Sequence, residues 1–176
     1  MTWTLENSRN DEASKIRWST VPYFHGRILD VGCGPYKCFP HWIGVDNGHH
    51  WGMGGADVKS EATKLELFAS NSCDGVFSSH LLEHIQYEEV TNTLNEWFRV
   101  IKPGGYMMLY LPDEDEYPKV GEFGANPDHK FNVSYDVIVS ALKKCRYSWD
   151  IVEFEKRNQN DEYSLWFVIK KLHGKS

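Results

Sequence analysis

The spacing of apolar positions changes along this chain, and each change marks an element. From Asp11 to Phe24, Ala13, Ile16, Val21 and Phe24 fall at a ragged helical spacing broken before Pro22, which predicts a short helix ending near Thr20. The ten residues before it are polar and read as loose. Arg27-Ile28-Leu29-Asp30-Val31 is a compact β-favouring run closed by Gly32-Cys33-Gly34-Pro35, so a strand followed by a glycine turn is expected. Trp42-Ile43-Gly44-Val45-Asp46 reads as a second buried strand ending on an acid. A glycine- and histidine-bearing loop, Asn47 to Ala56, follows, and Asp57 is expected to close a very short third strand. Cys73 to Ser79 is the fourth. The most regular period lies between Tyr87 and Ile101, where Val90, Leu94, Trp97, Phe98 and Ile101 recur at i, i+4, i+7, i+8 and i+11. This helix is stopped by Lys102-Pro103-Gly104-Gly105. Tyr106 to Leu111 is apolar on both faces, the pattern of a central strand in a covered sheet. After an irregular acidic stretch over 112–132 comes a helix from Ser134, its N-cap, to Lys144, with Val137, Ile138, Ala141 and Leu142 inward. Trp149 to Glu155 and Ser164 to Ile169 flank Arg157-Asn158-Gln159-Asn160-Asp161 and predict a terminal hairpin.

Strands alternating with helices and ending in a hairpin predict an α/β fold, its sheet mostly parallel with one antiparallel strand near the end. No repeat, low-complexity tract or linker divides the 176 residues, so one domain over 1–176 is expected. Its parts are an N-terminal helical segment (1–25), a ligand-binding half (26–113), and a loop, helix and hairpin (114–176). At 41% hydrophobic and 25% charged residues the chain is globular rather than disordered. Nineteen Lys and Arg against 25 Asp and Glu leave a charge of −6, which argues against coating a nucleic-acid duplex. No apolar run approaches the length that spans a membrane, and the first residues lack a secretory signal. The four cysteines, Cys33, Cys38, Cys73 and Cys145, show no disulfide-framework density and suit a reducing, cytoplasmic setting.

In an open parallel sheet a ligand binds outside the carboxyl ends of the strands, near the switch in strand order. Those ends carry Gly32-Cys33-Gly34, then Asp46, then Asp57, then Ser78-Ser79-His80. Glycine lets backbone approach a ligand closely, and an acid ending the second strand can accept both hydroxyls of a ribose. A glycine turn followed by an acid therefore describes a nucleoside-containing cofactor. The dinucleotide fingerprint G-x-G-x-x-G is broken, because Lys37 stands at its sixth position. A phosphate loop, G-x-x-x-x-G-K-[ST], is absent as well. S-adenosylmethionine is the nucleoside cofactor that needs no phosphate cradle.

Four segments, ILDVGCGP (28–35), GVD (44–46), NSCDGVFSSHLLEHI (71–85) and LNEWFRVIKPGGYMMLYLPD (94–113), occur in the order of the motifs of class I S-adenosylmethionine-dependent methyltransferases. The chain resembles that family, and within it a compact, type 11-like subgroup, over about residues 26–113. The resemblance implies a Rossmann-like, mostly parallel seven-stranded sheet with one antiparallel strand and helices on both faces. It also implies roles. Gly32, Cys33 and Gly34 would pass the methionine part of the cofactor, with Asp30 orienting its amino group. Asp46 would hold the ribose, Asp57 would accept from the adenine amino group, and Val58 would give a backbone contact. Ser78, Ser79 and His80 would line the methionine end. Two positions depart from the family: its third glycine is Tyr36 here, and only twelve positions separate Gly34 from Asp46. The helix between the first two strands is thus expected to shrink to a turn or loop.

His80, Asp113 and His129 are the candidate catalytic residues. Imidazole titrates near neutrality and suits a general base. Asp113 ends the fifth strand, where it is expected beside His80, and His129 lies in the long stretch 112–132, which reads as a lid. Plain alternatives stand beside these roles: His80 and His84 as pocket-shaping side chains, the acids 113–116 as a solvated loop, His129 as a cap. Cys33-x4-Cys38-x2-His41 suggests zinc, but its spacing is not paired and Cys33 belongs to the glycine motif. His80-Leu81-Leu82-Glu83-His84 is not H-E-x-x-H either, so no metal is expected. Trp51 is a candidate for stacking on adenine or acceptor. The expected function is methyl transfer from S-adenosylmethionine to a small-molecule acceptor, at an oxygen (a sugar or other hydroxyl) or a nitrogen, with no nucleic-acid or membrane partner. The alternative is a module of the same fold that binds the cofactor without turnover; Lys37 disfavours a nicotinamide oxidoreductase.

Overall fold

The computed structural model describes residues 12–49 and 54–174. The readings of residues 1–10 as loose and of Trp51 as a stacking residue lie outside the described residues. Five strands run parallel: β1 (Ile28–Val31), β2 (Ile43–Asp46), β3 (Val58–Lys59), β4 (Cys73–Ser79) and β5 (Ile101–Pro112). The terminal hairpin pairs β6 (Trp149–Arg157) with β7 (Ser164–Lys171), and β7 runs antiparallel to β5 and to β6. Across the sheet the order is β3-β2-β1-β4-β5-β7-β6. The order reverses between β1 and β4, which puts the ligand crevice at their carboxyl ends.

Alternating side chains divide the core into two layers. Val76, Met107 and Leu109 face α2 (Tyr87–Val100) and α3 (Tyr135–Lys143), whose inward residues are Val90, Leu94, Trp97, Phe98, Ile138 and Leu142. Burying each such side chain contributes about 1.5–3 kcal/mol. Phe77, Met108, Tyr110 and Trp166 face the other way, onto Ile16 of α1 (Glu12–Ile16), Phe24, Cys38 and Trp42. Helical turns at Arg17–Thr20 and Leu82–His84 complete the described helical elements.

Two boundaries and one cap bond differ from those read in the sequence. β5 begins at Ile101, directly after α2, because Lys102-Pro103-Gly104-Gly105 ends the helix inside a bulged stretch of strand rather than in a loop. Ser134 holds the N-cap position of α3 without a side-chain cap bond. Asp57 precedes β3 instead of closing it. Its N–H donates to Gly44 O (2.9 Å), so it lies beside the amino end of β2. The connection from β1 to β2 is a series of turns with no helix, the outcome its shortness demands. No helix among the described residues is long and apolar enough to cross a membrane. All four cysteines are free thiols.

Candidate active site

A cavity of about 780 Å³ opens over the carboxyl ends of β1, β2, β3 and β4. One wall is the glycine turn after β1. Gly32 has φ +74, and a Cβ there would lie 2.5 Å from the Leu81 side chain, so only glycine fits. Gly34, at φ +55, donates its N–H to Asp46 Oδ2 (3.0 Å), while Asp46 Oδ1 accepts from Gly48 N–H (2.7 Å). A carboxylate has about four acceptor sites, so Asp46 retains capacity for hydroxyl donors in the cavity it lines. Asp30 is buried and accepts from Cys38 N–H (2.6 Å), which folds the turn back onto β1. Cys33 also lines the cavity; burial pushes its thiol up to about 12, far from the thiolate that zinc or a nucleophile needs.

The structure brings together Asp30, Gly32, Cys33, Gly34, Asp46, Ser79, His80 and His129 on this cavity. Asp57, Val58, Ser78 and Asp113 do not line it. The Asp57 carboxylate is engaged outside the cavity lining, on Lys37 Nζ (2.8 Å) and Gly44 N–H (2.8 Å); the bond to Lys37 and the backbone amide hold it below the usual carboxylate range. Ser78 is fully buried and donates to Val31 O (3.0 Å), joining β4 to β1. Asp113 turns away from His80 into a small recess beside Val133, with Lys156 Nζ 3.1 Å from its Oδ2. Its backbone N–H donates to Tyr163 O, which fixes that orientation. In the place assigned to Asp57 and Val58 stand Ser60, Glu61, Ala62 and Thr63, beyond the carboxyl end of β3. The β-branched Val58 followed by Glu61 was the available signal for this frame.

The far end of the cavity gathers His80, Glu83, His84, His129, Tyr117 and Tyr163. His80 has φ +47, an uncommon conformation for a residue with a Cβ. Its Nε2 lies 3.0 Å from Ser164 Oγ and its Nδ1 3.6 Å from Glu83 Oε1. Burial lowers its pKa to about 3, so the ring is neutral at pH 7. Glu83 is wholly buried, neither carboxyl oxygen has a hydrogen-bond partner, and burial pushes it up to about 8. His129 Nε2 lies 3.8 Å from Glu83 Oε1, and burial lowers this imidazole too. The His129 ring meets those of His84 (centroids 4.9 Å apart) and Tyr117 (5.3 Å). Lys130 N–H donates to Glu83 O (2.8 Å), tying the long loop to the turn after β4. Glu83 had no signal of its own, because its burial comes from a loop far along the chain.

Residues 29–109 match the family model described as a methyltransferase domain. No curated protein matches the chain in sequence. Among solved structures, a SAM-dependent methyltransferase from Archaeoglobus fulgidus superposes with a TM-score of 0.65 at 21% identity, covering 90% of this chain and 92% of that one. Phosphoethanolamine N-methyltransferase 1 of Haemonchus contortus, in complex with phosphoethanolamine and S-adenosylhomocysteine, gives 0.72 at 17% identity, covering 95% of this chain and 44% of the other. The [4+2]-cyclase SpnF gives 0.66 at 15%, covering 92% and 81%. The matched segment is thus similar to a methyltransferase domain, and these solved structures share the Rossmann-like fold of this chain.

Proposed function

We propose that this protein methylates a small molecule at the His80–Glu83–His129 end of the cavity. The observation that supports this most is that one cavity runs from Asp46 and Glu61 to that cluster. In this reading Asp46 holds the ribose hydroxyls, and Glu61 and Ala62 border the adenine. The methionine part passes Gly32, Cys33 and Gly34, with Asp30 near its amino group. Ser79 and His80 face the methyl. The sulfonium already activates the methyl group, so the protein's main task is to align acceptor, carbon and sulfur. As the bond from the acceptor to carbon forms, the carbon–sulfur bond breaks and its electron pair returns to sulfur, leaving neutral S-adenosylhomocysteine. The acceptor's proton is released beside His80, Glu83 and His129. A hydroxyl is our first assignment, because neutral imidazoles accept an O–H; an amine is the second.

The SpnF likeness shows that this fold also carries an enzyme named for another reaction. Turnover therefore needs its own test. Titrating S-adenosylhomocysteine and NAD, followed by tryptophan fluorescence or heat, is expected to give binding of the former alone. S-adenosylhomocysteine should then accumulate from S-adenosylmethionine when hydroxyl or amine acceptors are supplied. Tight NAD binding would overturn the cofactor, and cofactor binding with no product across both acceptor classes would leave a silent binding module.

A further inference from the structure

Glu83 is the least satisfied group among the described residues of the cavity. It is wholly buried, and both its oxygens lack a hydrogen-bond partner. Buried polar groups are nearly always satisfied, and a buried carboxyl without partners, unsatisfied even as the neutral acid, is satisfied in its ionised form by a cation. Two imidazoles stand beside it. One donor atom each from Glu83, His84 and His129 fall within 4.8 Å of one another. We propose that Glu83, His84 and His129 bind a divalent transition-metal ion of the zinc class at the acceptor end of the cavity.

Two imidazoles and one carboxylate form a donor set suited to zinc, whereas calcium and magnesium select oxygen ligands. Donors about 2.0–2.2 Å from such an ion can stand up to roughly 4 Å apart. Small rotations of the His84 and His129 side chains therefore close the set. The ligands come from two places, the turn Leu82–His84 and the loop carrying His129, which the bond from Lys130 N–H to Glu83 O already holds together. Around them, His80 Nδ1 lies 3.6 Å from Glu83 Oε1, and the Tyr117 ring packs on His129. Such neighbours orient metal ligands. Three protein ligands leave a coordination position open, as in catalytic rather than structural zinc sites, and here it faces the cavity. Using that position to orient an acceptor hydroxyl rests on the methyl-transfer reading above; the ion site itself does not.

The test uses the full chain stripped of metal by a chelator and titrated with Co²⁺, then Zn²⁺. One equivalent of Co²⁺ should bind with the visible absorption of a nitrogen–oxygen site, and one equivalent of Zn²⁺ should displace it while millimolar Mg²⁺ does not. Glu83→Gln, which keeps the side chain's shape, and His129→Ala should each weaken Co²⁺ binding about tenfold or more. A thermal melt confirms that each variant is folded. Co²⁺ that fails to bind the wild type, or binds both variants as tightly as the wild type, would overturn the site. S-adenosylhomocysteine affinity, measured on the same samples, should not change. Loss of that affinity in the wild type would count against the cofactor reading while the cobalt spectrum still decides the metal.

Discussion

The Asp46 carboxylate accepts from the N–H groups of Gly34 and Gly48, so removing it would loosen two turns as well as the ribose contact proposed for it. Asp46→Ala should weaken S-adenosylhomocysteine binding by about 1.5–3 kcal/mol, the range for hydrogen bonds to a charged group. Glu61→Ala should weaken it in the same direction. Asp57→Ala should leave that affinity alone. The Asp57 side chain is 50% exposed and pairs with Lys37, and a surface pair of this kind contributes under about 1 kcal/mol. Isothermal titration of the three variants separates the acids that line the cavity from the one that does not. An Asp57 variant that loses cofactor, beside an Asp46 variant that keeps it, would sink the assignment. The same three acids show how far a single residue type is legible. Asp46 ends a strand whose four residues declare themselves by composition, so its place could be read. Asp57 stands beside a strand of two residues, too short for a period, and an error of a few positions there exchanges a cavity-lining acid for one outside the lining.

At the scale of elements, α2 holds the wall proposed for adenine. Trp97 Nε1 donates to Ala62 O (2.8 Å), and Glu96 Oε1 accepts from Leu65 N–H (2.8 Å). Arg99 pairs with Glu96 and donates to the carbonyls of Leu65 and Phe68. The hydrogen bond from Arg99 holds the Glu96 carboxyl below its ordinary value. A folded-state pKa below the unfolded one gives stability that is complete above the unfolded value, about 4.3 for Glu, and is lost as pH falls through the folded value. Glu96→Gln should thus lower the urea midpoint at pH 7, and the gap to wild type should narrow as pH falls below about 4. A gap that stays constant with pH would mean that the Glu96 charge contributes nothing. The period of α2 made this helix and its buried stripe legible in advance. Its polar side chains were not, because what they hold is an irregular segment whose path no local pattern encodes. Glu83 is the same case: the stretch containing it is conspicuous in the sequence, yet its burial depends on the loop that brings His129 back over it.

At the scale of the whole molecule, the segment between β5 and α3 is anchored at its ends and lightly held between them. Asp113 and Glu114 donate to Tyr163 O and Val133 O, and Lys130 donates to Glu83 O, each at 2.8 Å. Between these anchors, Val120 N–H donates to Asn132 Oδ1 (2.7 Å) in an exposed position. Gly121 and Gly124 take φ +87 and +88, and a Cβ on Gly121 would touch nothing within 4 Å. Phe123 is fully exposed, although Tyr117 in the same segment lines the cavity. Segments with few buried contacts and exposed hydrogen bonds open at the lowest cost. An uncovered aromatic on such a segment, between Tyr117 and Asn126 that both line the cavity, suits a lid that closes over the second substrate of the proposed reaction and excludes water. Hydrogen exchange over 118–126 should accordingly stay fast with S-adenosylhomocysteine alone and slow once an acceptor joins. Phe123→Ala should raise the acceptor's KM several-fold while S-adenosylhomocysteine affinity holds, because the end of the cavity proposed for the cofactor is lined by other segments. If S-adenosylhomocysteine alone protects the segment, the loop closes on cofactor; if the Phe123 variant keeps its KM, the exposed ring takes no part in closure.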